Sequence, residues 1–209
     1  GRGAKEVLDF LEIKEVSPDD FINLKFNEPV YTNIDVLDYN YSNLIENTVS
    51  NFYNFPDKFE STFSKFSSVA DVYFAGHYHN PKAPRLITNQ DMKENSFNID
   101  VIADISCDID GPIASTIRPS TIDDPIYGFH KLNSVECDFH DSNAIAVMAV
   151  DNLPCELPRD SSEMFGEMFL KYVIPSFFNN DKDDILKNSQ MTSEGELTPR
   201  FKHLTDYIL

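Results

Sequence analysis

Apolar positions recur in several rhythms along the chain. At the start, Ala4, Val7, Leu8 and Leu11 fall at i, i+3, i+4 and i+7, one stripe of a 3.6-residue period, and predict an amphipathic helix with Gly1 and Gly3 at its N-terminus. Ile13 to Val16 reads as a short strand and Pro18-Asp19-Asp20 as a turn. Tyr31 to Leu37 is β-rich, and Asp57-Lys58-Phe59 opens a helix in which Phe59, Phe63 and Phe66 share a stripe. Three continuous apolar runs follow, within Asp71 to Gly76, Ile99 to Ser106 and Ala144 to Val150. Such runs alternating with helices predict an α/β fold with a parallel sheet covered on both faces. Thr88 to Met92 predicts a short capped helix, and Asp110 to Asp141, rich in Pro, Ser and Asp, a long irregular excursion.

Beyond Val150 the chain turns through Pro154 and Pro158 into a helix from about Asp160, with Asp160 and Glu163 at capping-box spacing. Met164, Phe165, Met168, Phe169, Tyr172 and Val173 supply its apolar face, and Pro175 should end or bend it. The tail is polar from Asp181 until Leu197 and closes on a helix-like pattern, Phe201, Leu204, Tyr207 and Ile208. No internal repeat or low-complexity tract interrupts these elements.

Charge narrows the partners. The 209 residues carry a formal charge of −18, with an isoelectric point near 4.4, which argues against nucleic acid and against an anionic membrane surface. No run of 18 apolar residues predicts a transmembrane helix, and no basic segment leads into an apolar one as in a secretory signal. Three scattered cysteines, Cys107, Cys137 and Cys155, are too few for a disulfide framework and point to a reducing, cytoplasmic setting.

In open α/β sheets, ligands bind beyond the carboxyl ends of the strands. Three such exits are polar or sharply turned: Gly76 to Pro81, Asp104 to Asp108, and Asp151 to Pro154. His77 and His79 lack a nearby third ligand, so no metal is assigned to them. Asp104, Asp108 and Asp110-Gly111 fail as a calcium loop, because the sixth position is Ile109 where glycine is needed. Cys107, among carboxylates, should have a raised pKa and be a poor nucleophile. Asp151-Asn152 fits a turn feeding a helix and a cofactor contact equally well.

Four ordered segments carry a resemblance: GRGAKEVLDFL (Gly1 to Leu11), HNPKAPRLIT (His79 to Thr88), VIADISCDIDGPIASTIRPSTIDDPIYGF (Val101 to Phe129) and AVMAVDNLPCELPRDSSEMFGEMFLKYVIP (Ala146 to Pro175). Together they resemble the family of alanine dehydrogenases, lysine-ketoglutarate reductases and saccharopine dehydrogenases, whose nucleotide-binding domain transhydrogenase subunits share. The resemblance implies a Rossmann-like, doubly wound parallel sheet lacking its first strand, with NAD or NADP as cofactor. It places Gly1 and Gly3 at the end of a phosphate loop and Gly76 and His77 at a strand exit beside the cofactor. Ala103, Asp104, Ile105 and Ser106 would run past the nicotinamide ribose, and Val150, Asp151, Asn152 and Leu153 would lie near the nicotinamide. Asp108 matches an aspartate close to the substrate and is the candidate catalytic residue.

The resemblance further implies hydride transfer between a nicotinamide and the amine or imine carbon of an amino acid. The alternatives are a transhydrogenase-like subunit and a non-catalytic nucleotide-binding module. Residues 1–154 would form the nucleotide-binding domain, and 155–209 a C-terminal helix and tail packing on an N-terminal substrate domain that this chain lacks. The chain is therefore expected to be the C-terminal part of a longer, homo-oligomeric enzyme and inactive by itself. Glu15, Asp19, Asp20 and Ser17 all occupy plausible slots for the residue that selects between NAD and NADP.

Overall fold

The computed structural model describes residues 1–207, so Ile208 of the tail pattern lies outside the described residues. The chain forms two compact units, Gly1–Asp151 and Asn152–Leu209.

The first unit opens with helix α1 (Arg2–Phe10), strand β1 (Lys14–Glu15), helix α2 (Pro18–Asn23) and strand β2 (Val30–Tyr31). The segment read as a turn at Pro18 is α2: the Ser17 hydroxyl accepts from the Asp20 amide at 3.1 Å and Pro18 pre-sets the first helical residue. β1 and β2 pair in parallel as a separate ribbon. Lys5 bonds Glu15 and the Tyr31 hydroxyl, and that hydroxyl donates to Asp9, so a polar clasp holds α1 on this ribbon.

β3 (Asn40–Tyr41) pairs antiparallel with β4 (Glu60–Ser61), with α3 (Val49–Asn54) between them and α4 (Ser64–Ser67) after them. Two expectations fail here. Of the β-rich stretch Tyr31 to Leu37 only Tyr31 lies in a strand, and the phenylalanine stripe is not one helix but a 3-10 turn, a strand and a single helical turn. The three rings are nonetheless buried: Phe63 and Phe66 join the main core, whereas Phe59 packs edge-on against Phe52 at 5.3 Å. Their spacing reports burial, which an irregular segment satisfies as well as a helix.

The main sheet has five strands, β5 (Val72–Ala75), β6 (Val101–Asp104), β7 (Ile126–His130), β8 (Val135–Cys137) and β9 (Ala144–Met148), in the order β5-β6-β9-β7-β8. The three runs predicted as strands are the parallel trio β5, β6 and β9. β7 and β8 form an antiparallel hairpin added at β9, inside the segment expected to be irregular. Register aligns the core across the sheet: Ile102 pairs with Val147 and Val147 with Tyr127, all three buried on one face. The opposite face departs from the expected two-sided cover, since Val72, Phe74, Val101 and Ile126 remain 40–45% exposed. The connections between the trio carry a 3-10 turn and the hairpin instead of long helices. A mostly parallel sheet with helices at its flank is nevertheless a Rossmann-like α/β arrangement.

In the second unit, α5 (Leu153–Glu156) leads into α6 (Pro158–Met168), a π-helical turn over Phe169–Val173 and a 3-10 turn over Ile174–Phe177. α6 starts at Pro158 without a side-chain cap, so the Asp160–Glu163 box does not form; proline's fixed φ starts the helix two residues earlier. Pro175 sits in the tightened 3-10 turn, and Met164 and Phe165 are exposed. The Asp181 carboxylate accepts from the Leu186 and Lys187 amides at 2.9 Å and so anchors α7 (Ile185–Ser189). A hairpin of β10 (Thr192–Ser193) and β11 (Glu196–Leu197) and a 3-10 tail over Pro199–Tyr207 complete it.

Gly128 in β7 is packed so closely that a Cβ there would lie 2.6 Å from the Phe139 amide nitrogen and 2.7 Å from the Asp138 carbonyl. Gly128→Ala should therefore destabilise the first unit by about 1–3 kcal/mol. Urea unfolding read by tyrosine fluorescence is the measurement, and an unchanged midpoint would contradict the packing described.

Candidate functional site

The carboxyl ends of β5, β6 and β9 meet on one rim, stitched by side chains from the residues that follow each strand. The Ser106 hydroxyl accepts from the His77 amide at 3.2 Å and donates to the His77 carbonyl at 2.9 Å, tying the β6 exit to the β5 exit. The Cys107 thiol donates to the Ala149 carbonyl at 3.1 Å, tying the same loop to the β9 exit. Ala149 is clamped further, since its amide donates to the Ser120 hydroxyl at 3.0 Å and its carbonyl accepts from the Ser120 amide at 2.8 Å.

Beneath the rim lies Asp104, with no exposed surface. One carboxylate oxygen accepts from the Thr116 hydroxyl at 2.6 Å and the other from the Cys107 amide at 3.1 Å. Both ends of the loop after β6 are thus held by one side chain, and Cys107 takes a left-handed φ of 50° in making the turn. Tyr127 fixes the loop beyond, donating to the Ser115 carbonyl at 2.9 Å and accepting from the Ile117 amide at 3.2 Å. The Arg118 guanidinium lies 4.5 Å from that ring's centre and forks onto Glu136 of the hairpin at 2.8 and 2.9 Å.

The N-terminus of α1 abuts the same rim. The Gly1 nitrogen is 3.4 Å from the Gly76 carbonyl, and a Cβ on Gly76 would stand 2.4 Å from that nitrogen. Only glycine permits this approach. No acidic side chain occupies the first turn of α1, whose amides have no side-chain cap. Gly3 is exposed, with open space about its Cα.

Of the residues singled out from the sequence, the first unit brings Gly1, Gly76, His77, Ala103, Asp104, Ile105, Ser106 and Asp108 to the exits of β5 and β6. Val150 and Asp151 stand at the exit of β9, where Val150 bridges Ser120. Asp108 is exposed and close enough to act electrostatically on His77 and His79. The Asp104 side chain is turned inward and fully engaged, so it supports the rim from below. Asn152 and Leu153 belong to the second unit: Asn152 caps α5 with a left-handed φ of 53°, and Leu153 is its first residue. Among the described residues, no three or more His, Cys, Asp or Glu side chains gather as a metal set. No helix among them is long and apolar enough to cross a membrane.

Sequence reasoning missed Thr116, Ser120, Tyr127 and the Arg118–Glu136 pair. The available signal was the apolar alternation of Tyr127 and Phe129 inside the supposed excursion, masked by its prolines and aspartates.

The electrostatics follow burial. Burial raises the Asp104 carboxyl above its ordinary range, opposed by the Thr116 and Cys107 hydrogen bonds. Burial lowers His77 and His79, so both favour the neutral imidazole, although Asp104 and Asp108 pull the other way at His77. Burial also raises the Cys107 thiol, helped by Asp151, Asp104 and Asp108, the direction expected from the sequence.

Parallel strand exits, a helix N-terminus at a glycine contact and a serine-stitched loop define the class by fold: a Rossmann-like α/β domain. Residues 32–200 match the family model described as alanine dehydrogenase/PNT, C-terminal domain, and the chain belongs to that family. It is 28% identical over 162 residues to an alpha-aminoadipic semialdehyde synthase of Arabidopsis thaliana, covering 74% of this chain and 15% of that protein. A mitochondrial protein of the same name from Mus musculus is 24% identical over 176 residues, covering 72% of this chain and 19% of the relative. A saccharopine dehydrogenase [NAD(+), L-lysine-forming] of Emericella nidulans is 28% identical over 111 residues, 52% of this chain and 28% of its own length. The chain thus spans less than a third of each of these relatives.

The two buried groups give opposite pH dependences. A carboxyl whose pKa is raised on folding binds more protons in the folded state, so stability falls as pH rises from the ordinary carboxylate range through the raised value. A lowered histidine loses stability as pH falls from the ordinary imidazole value toward its own. Asp104→Asn should abolish the first decline and leave the second; urea midpoints measured between pH 3 and pH 8 separate them. Thr116→Val should cost about 1–3 kcal/mol, because it leaves a buried acceptor unpaired.

Proposed function

We propose that this chain is the nucleotide-binding part of an NAD(P)-dependent amino-acid dehydrogenase, of the saccharopine or alanine dehydrogenase type, that transfers hydride between a nicotinamide and an amine or imine carbon. The observation that carries this reading is the rim itself, with the α1 N-terminus seated against Gly76 at the exits of three parallel strands. Family membership and the relatives' names support the oxidoreductase class.

The residues fit a dinucleotide. The Gly1 nitrogen and the uncapped first-turn amides of α1, Gly3 among them, suit a pyrophosphate, since a helix N-terminus presents N–H donors and a partial positive charge. Gly76 and His77 on one side and Ala103, Ile105 and Ser106 on the other form walls that backbone contacts hold rigid. Val150, Asp151, Asn152 and Leu153 are proposed to approach the nicotinamide end. When bound, NAD or NADP supplies or accepts the hydride.

Asp108 is proposed as the catalytic residue. Exposed beside neutral histidines, its carboxylate stabilises positive charge at an iminium carbon and orients the water that adds to it. Ser106 holds the loop that carries Asp108, which keeps the carboxylate within reach of the reacting carbon. Residues 1–154 are proposed as the nucleotide-binding domain and 155–209 as the segment that meets a substrate domain in the complete protein. An amino-acid substrate, a homo-oligomeric parent and a cytoplasmic location belong to the same proposal. The last draws support from three cysteines that are all free.

Titration of the chain with NAD and NADP should give saturable binding. Gly76→Val should weaken it at least tenfold by displacing the α1 N-terminus, with an unchanged far-ultraviolet circular dichroism spectrum. In the complete protein, Asp108→Asn should lower kcat by about 100-fold, the lower range for loss of a general acid–base group, with a smaller change in nucleotide KM. Absence of nucleotide binding would overturn the reading.

A further inference from the structure

Next to the β5 exit, within the first unit, a cavity of about 50 Å³ lies between Tyr39, Asn40 and Phe52 on one side and His77, His79 and Leu86 on the other. Asn40 is 3% exposed. Its amide nitrogen donates to the Val36 carbonyl at 2.9 Å, which fixes the amide so that Oδ1 is the free atom. Asn40 Oδ1 and His77 Nε2 are both buried without a hydrogen-bond partner. Leaving one such group unpaired costs about 1–3 kcal/mol, so two beside one cavity mark it as a place that favours a hydrogen-bond donor.

The missing ligand is defined by what these atoms can do. A carboxamide oxygen only accepts, and His77 Nε2 accepts when the neutral ring carries its proton on Nδ1. Burial favours that neutral ring. The ligand must therefore donate at least two hydrogen bonds. Charge points the same way: Asp35 and Asp38 act on Tyr39, Asp104 and Asp108 on His77, opposed at His77 by His79 and the Gly1 amino group. Tyr39 and Phe52 add aromatic walls, which favour a cation. The space is ample for a small polar head group.

We propose that this cavity binds a primary ammonium head group, which donates to Asn40 Oδ1 and His77 Nε2. The site is built for an amine and shares only His77 with the proposed nucleotide surface. An N–H donor there satisfies both orphaned acceptors at once. A neutral water satisfies them without using the surrounding negative field.

The test titrates the isotopically labelled 209-residue chain with methylammonium and n-butylammonium, with tetramethylammonium and methanol as controls. Saturating shifts of the Asn40 side-chain amide and the His77 ring are expected with the two primary ammonium ions. Tetramethylammonium, a cation without donors, should give none, and methanol should bind at least tenfold more weakly. Asn40→Leu and His77→Phe should each weaken methylammonium binding roughly tenfold or more, the loss of one charge-assisted hydrogen bond. Melting curves verify that each variant folds, and His77→Phe carries the test if Asn40→Leu does not. Affinity should also fall on acidification through the His77 titration, because the protonated ring loses its acceptor and repels the cation, with His79 adding to the repulsion. Equal responses to methanol and methylammonium, or no response to either ammonium ion, overturn the proposal. NAD titrated in parallel distinguishes the two readings: nucleotide binding without an amine response sinks this inference alone.

Discussion

A single buried carboxylate underlies the upper surface of the sheet. Asp104 ends β6 with no exposed surface, and its two oxygens hold Cys107 and Thr116, nine residues apart in the chain. An isolated charge in that position would be strongly unfavourable; two hydrogen bonds offset part of the penalty, and burial still holds the carboxyl above its ordinary range. The loop between the two anchors is pinned there by Asp104 and at its middle by the Ile87–Ile113 bridge, so the one side chain fixes its ends. Ser106 and Cys107 then transmit that shape sideways to β5 and β9.

Support and exposure are divided among neighbouring residues accordingly. Asp104 and Ser106 are spent on internal contacts, whereas Asp108, Gly3 and Ile105 face outward. A stretch of five residues, Asp104 to Asp108, therefore contains both a buried aspartate that shapes the backbone and an exposed one free to act on a ligand. Strand alternation explains the first: Asp104 shares the inward face with Ile102. The reversal at Cys107 explains the second, since its positive φ ends the alternation and turns the chain outward.

How far this was legible depended on how each segment is stabilised. β5, β6 and β9 are continuous apolar runs paired in a sheet whose inward side chains are buried, so local pattern and tertiary burial agreed; α1 was legible from its helical stripe alone, since it buries no residue. The β7–β8 hairpin was hidden because its flanks are rich in Pro, Asp and Ser while its inward residues, Tyr127 and Phe129, are only two. The Phe59–Phe66 stripe misled because aromatic burial has no unique backbone. At the rim, the exits of β5, β6 and β9 were identifiable from strand direction alone. Thr116 and Ser120 were not, because a hydrogen bond between residues 12 to 29 positions apart leaves no trace in local spacing.

The positive end of α1 stands in a molecule of net charge −18. A polyanion approaching it meets repulsion at long range and attraction only within the last few ångströms. Dissolved ions screen the distant field over about 10 Å at 0.1 M but barely touch contacts that close. For such a molecule, added salt hastens the capture of a negatively charged partner, the reverse of the behaviour of a basic protein.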